Sequence, residues 1–145
     1  MDENNELLTY IYQTADMGVK STTTLINCIK DTENKIKKIV EGQLKGYENF
    51  LKKSKKLLKE NKVDPKTKGL MADMMSKMGI KKDLLKDNSD SYIAEMLTQG
   101  FTMGVVEMEH KIDRFQGDAD KNILKLAKEL LKFQQENIEF LKPYL

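Results

Sequence analysis

Glu107 and His110 lie three residues apart in VVEMEHKID, Val105 to Asp113, and His110 is the chain's one histidine. On a helix, residues three apart share a face. Glu-x-x-His is what one helix contributes to a carboxylate-bridged di-metal site. A mononuclear site, or one shared between subunits, would use the same pair with iron, manganese or zinc. The plainer reading is a surface or interface histidine beside a helical carboxylate. A symmetric di-metal site needs matched ligands from both halves of a bundle, and no second histidine supplies them. The favoured expectation is therefore no cofactor, with the metal pair as the alternative.

Met71, Met74, Met75 and Met78 recur at i, i+3, i+4 and i+7. Thioethers bind copper(I), but methionine also fills irregular apolar gaps and builds adaptable binding surfaces. No cysteine or histidine adjoins these four, so the spacing predicts a stripe that docks a short helix or meets a partner. Gly100 and Gly104, four apart, permit close backbone approach. Each costs about 1 kcal/mol against alanine inside a helix, which points to a packing role. Around them, no charge occurs from Met96 to Val106, and only Lys20 is charged between Asp16 and Lys30. Helices apolar on more than one side are buried on more than one side. A homodimer, or another helical protein, is the expected partner.

Lysines 52, 53, 55, 56 and 59 stripe one segment. Such runs are commonly solvated faces, and no aromatic residue interleaves to stack on bases. Of 25 basic residues only Arg114 is arginine, and net charge is +2. Both facts argue against a nucleic-acid binder. Cys28 stands alone, so no internal disulfide forms and a cytoplasmic setting is expected. No acid or imidazole near it suggests catalysis. No glycine-rich phosphate loop and no Ser-His-Asp set occurs. The N-terminal MDENNELL lacks the blocks of a signal peptide, and no apolar run nears the roughly 20 residues that span a bilayer. No membrane partner is expected.

The elements that must position these residues are helical. At 145 residues, 39% hydrophobic and 33% charged, with two prolines and eight glycines, the chain reads as one all-α domain. A first helix, residues 6 to 30, has the seam Leu8, Ile11, Ala15, Gly18, Thr22, Leu25 and Ile29. A second, 33 to 61, has Ile36, Val40, Gln43, Tyr47, Phe50 and Leu57. Together they form a hairpin over 6–61. Residues 62–88 form a crossover, with Asp64-Pro65 opening a short helix that Gly79 stops. The second hairpin, 89–141, pairs a helix ending near Gln116 with one from Ala119 to Leu141. QTADMGV and QGFTMGV match at four positions, 86 residues apart, at the middle of each opening helix, and suggest a repeat. That offset puts Ala94, Leu97, Phe101, Gly104, Met108 and Phe115 inward, with Glu107 on the flank and His110 nearly opposite the core.

Two antiparallel hairpins, a long crossover and Glu107-x-x-His110 resemble the ferritin-like four-helix-bundle superfamily. More narrowly, the chain over residues 6 to 141 is similar to small bundles of spore-forming Firmicutes, relatives of spore coat protein F. The resemblance implies a ferritin-like fold. In metal-binding members the Glu-x-x-His pairs lie on the second and fourth helices. Here the pair lies on the third, so the likeness points to the metal-free members. The expected role is a non-enzymatic binding or structural module that self-associates.

Overall fold

Asp2 accepts a hydrogen bond from the Asn5 N–H at 2.8 Å and caps the first helix, α1 (Glu3–Ile29). Glu3 and Glu6 in its first turn complement the helix dipole. The computed structural model describes residues 2–66 and 70–145, and of 70–76 the backbone alone. Four further helices follow: α2 (Lys37–Glu60), α3 (Leu70–Lys86), α4 (Asp90–Phe115) and α5 (Lys121–Leu141), then a 3₁₀ turn at Lys142–Tyr144. The protein is all-helical over the described residues, and no helix there is long and apolar enough to cross a membrane.

The α1 and α4 seams run largely as the spacing predicts, whereas in α2 Ser54 and Leu58 are buried and the expected Leu57 is only half-buried. Leu8, Ile11, Ala15, Thr22, Leu25 and Ile29 of α1 are buried, as are Ala94, Phe101, Met108 and Phe115 of α4. Three boundaries of α2 and α3 differ. α2 starts at Lys37, not near 33, because Thr32 and Asn34 are spent on a turn. The Thr32 hydroxyl donates to the Ile29 carbonyl at 2.7 Å, and Asn34 Nδ2 donates to the Asn88 carbonyl at 2.8 Å and to Asp90 at 2.9 Å. Nor does Gly79 stop α3. A side chain there would meet nothing within 4 Å, its φ is not positive, and the helix continues until Asp87 accepts from the Ser89 N–H. Asp64-Pro65 does not open α3, which begins at Leu70.

Contacts at the helix ends fix the directions. The Asp120 N–H donates to Asn4 Oδ1 at 2.6 Å, Arg114 pairs with Glu6 at 3.7 Å, and Asn61 donates to Asn5 at 3.3 Å. The start of α1 therefore sits with the ends of α2 and α4 and the start of α5. At the opposite end, Asp90 accepts from Asn34 and from the N–H groups of Lys35 and Ile36. α2 has no side-chain cap of its own, and Asp90 serves it from the next hairpin. Burial alone would raise the Asp90 carboxyl, but these hydrogen bonds outweigh it and hold the group below its ordinary value. So α1 and α5 run one way and α2 and α4 the other. α3 returns the chain along α1.

The core divides in two. One cluster, around Leu7, Leu8, Ile11, Met108, Phe115 and Ile123, fills the end where α1 begins. The other, around Leu25, Ile29, Ile36, Val40, Ile93 and Leu141, fills the opposite end. Phe133 touches both.

Candidate functional site

α1 packs along α2, and α4 along α5, but α1 and α4 barely touch. Between them, at the waist separating the two core clusters, lies a cleft of about 590 Å³. That volume is in the range of small-molecule sites. Its walls are short or flexible: Thr14, Met17, Gly18 and Ser21 on α1, and Met96, Gly100, Met103 and Gly104 on α4. Its floor is Leu25, Gln43, Tyr47 and Phe101, and Ile80 of α3 lines one side.

Two glycines admit the side chains behind the walls. A Cβ on Gly18 would lie 2.3 Å from the Tyr47 ring, and one on Gly104 would lie 2.6 Å from Gln134 Nε2. The Met-Gly pairs of QTADMGV and QGFTMGV thus do the same work in each hairpin. Methionine faces the cleft, and glycine makes room for a large residue from the paired helix. Tyr47 stacks on Phe101, ring centres 6.0 Å apart and planes within 6°, and meets Phe133 edge-on at 5.1 Å. Burial pushes the Tyr47 hydroxyl far above its ordinary value.

Gln43 is the unusual floor residue. It is 1% exposed, and neither its amide nitrogen nor its amide oxygen has a hydrogen-bond partner among the described residues. Native proteins leave few such atoms. Gln134, 2% exposed, also has an unpartnered Oε1, whereas buried Asn137 donates to the Phe133 carbonyl at 2.9 Å.

Tyr10 and Glu107 stand at one end of the cleft mouth. The Tyr10 hydroxyl is pushed up to about 12, first by burial and next by the Glu107 charge; a hydrogen bond to Glu107 adds to this and one with Thr14 opposes it. Lys111 sits over the Tyr10 ring, 5.1 Å from its centre. Glu107 therefore latches α4 to α1.

Glu107 and His110 are both exposed, and no cluster of three His, Cys, Asp or Glu suited to a metal ion occurs among the described residues. On α2 and α5, where the ferritin-like resemblance would place Glu-x-x-His, the buried polar side chains include Gln43, Gln134 and Asn137. These neutral amides supply no charge to offset an iron or manganese ion, so the residues present do not fit a di-metal centre. Met78 is 67% exposed; the side chains of Met71, Met74 and Met75 lie outside the described residues. Among the described α3 side chains, Ile80 reaches the cleft and Leu84 the core. Gly100 is exposed with open space above it, whereas Gly104 is occupied by Gln134 of its own chain.

Lys52, Lys53, Lys55, Lys56 and Lys59 are exposed. Glu60 and Glu129 interleave with Lys53, Lys56 and Lys125 in the shallow groove between α2 and α5, which breaks the positive field. Cys28 is a free, half-buried thiol. No family model matches the chain, and no curated protein or solved structure matches it either.

The spacing of α5 held an unread signal. Ala127, Leu130, Gln134, Asn137 and Leu141 continue one inward stripe, and the two amides in it mark the waist.

Proposed function

We propose that the chain is a cytoplasmic, non-enzymatic binding module on a ferritin-like four-helix bundle, and that the α1–α4 cleft is its binding element. The directions of the four long helices and the crossover α3 support the architecture. The observation that carries the function is the waist. Two helices stand apart over an apolar cleft of about 590 Å³ in which Glu107, the one charged lining group among the described residues, is engaged by Tyr10. An apolar cleft with a few polar groups is what a small-ligand site looks like. Among the described residues the lining includes no histidine, cysteine or lysine to act as base or nucleophile beside its hydroxyls.

Toluene, titrated into ¹⁵N-labelled protein, is the direct probe. Saturable shifts of the Gly18, Gly100 and Gly104 amides are expected. Shifts absent or scattered over the surface would refute the assignment.

Self-association is a second reading, favoured by Met103 at 73% and Val106 at 55% exposure on the charge-free part of α4. Here a second copy covers those side chains. Sedimentation equilibrium should give a dimer that Met103→Glu dissociates; a monomer at high concentration would remove this part.

A further inference from the structure

We propose that the α1–α4 cleft takes an uncharged planar ring carrying a cis-amide, a lactam or carboxamide, and that the Gln43 carboxamide reads it. This rests on the cleft being the binding element. Gln43 lines the cleft floor, is 1% exposed, and neither its amide donor nor its amide acceptor has a hydrogen-bond partner among the described residues. The chemical complement of a carboxamide edge is another amide held cis. Its N–H donates to Oε1 while its carbonyl accepts from Nε2. A cis-amide meets both atoms at once, whereas an alcohol or ether meets them singly.

The rest of the site selects the ring. Tyr47 and Phe101 form an aromatic floor with nearly parallel planes, and Met17, Met96 and Met103 bring polarizable thioethers around it. Glu107, the one charge on the lining among the described residues, disfavours an anion. A negatively charged ligand would also leave Gln43 Oε1 without a donor.

The test uses 2-pyridone, a lactam with adjacent donor and acceptor, and 1-methyl-2-pyridone, in which the donor is blocked. Both are titrated into protein labelled on glutamine nitrogen. The expected result is that 2-pyridone moves the Gln43 side-chain NH₂ signals and binds about tenfold more tightly than its methylated form. Gln43→Met, which keeps volume and removes both amide atoms, should reduce that preference to near unity. Gln43→Leu should do the same, which guards against a packing fault peculiar to methionine. Equal binding of the two pyridones to the wild type, with toluene still shifting Gly18 and Gly104, would overturn the inference and leave the cleft assignment standing. If toluene also leaves the cleft signals unmoved, the cleft assignment itself fails.

Discussion

The ends of this bundle and its waist are built on opposite terms. At the ends, Leu8, Ile11, Phe115 and Ile123 on one side, and Ile29, Ile36, Ile93 and Leu141 on the other, close into apolar clusters at or near zero exposure. At the waist the inward positions hold Gln43, Tyr47 and Gln134, the walls hold Gly18 and Gly104, and the α1–α4 seam stays open. The ends bury large aliphatic surface, the dominant favourable term in folding. The waist sets both amide atoms of Gln43 and the Oε1 of Gln134 in the interior without a partner among the described residues, each unpaired group costing about 1–3 kcal/mol. The contrast teaches that stability is concentrated at the two ends, so a polar, open middle is tolerable because the ends hold the helices together.

The contrast can be broken from the ends. Ile11→Ala should cost about 2–5 kcal/mol in a denaturant titration, because Ile11 is fully buried in the first cluster. A loss below 1 kcal/mol would mean that this end does not carry the fold.

At the waist, Gly18→Ala should cost about 1–3 kcal/mol. Tyr47 cannot swing away, since Phe101 stacks on it and Phe133 abuts it. Gly104→Ala should cost less, because its neighbour is the flexible end of Gln134. Equal losses at the two sites would blur the distinction between a rigid and a yielding wall. Gly100→Ala meets open space and should stabilise by about 0.5–1 kcal/mol through helix propensity.

The latch at the cleft mouth gives a smaller, pH-dependent effect. The folded-state value of Tyr10, about 12, lies above the ordinary 10.0. A raised value favours the protonated hydroxyl in the folded state, so its contribution is intact below pH 10 and is lost as pH rises from about 10 to about 12. Tyr10→Phe should show a shallower loss of stability across that window than the wild type. Parallel profiles would show that the latch contributes nothing.

Much of the fold was legible because apolar periodicity records burial. The α1 seam from Leu8 to Ile29 needed only spacing and side-chain type. What spacing hid were features fixed by distant partners. Asp90 serves the start of α2 from 54 residues away, and that shifts the helix boundary. Gly79 looked like a stop, yet with no positive φ and open space around it the helix passes through. Of the site, Gln43 was already on an inward stripe, but its unpaired state depends on the α1–α4 gap, which no local pattern encodes. Gln134 and Asn137 read as surface because they are polar, although they keep the inward step from Ala127 to Leu141.

The most direct measurement is the unfolding free energy of Gln43→Met beside its pyridone selectivity. If Gln43 is kept for a ligand, removing an unpaired buried amide should stabilise the free protein by about 1 kcal/mol while the preference for 2-pyridone disappears. A variant that is less stable than the wild type and still prefers 2-pyridone would show Gln43 to be a structural residue and contradict the account.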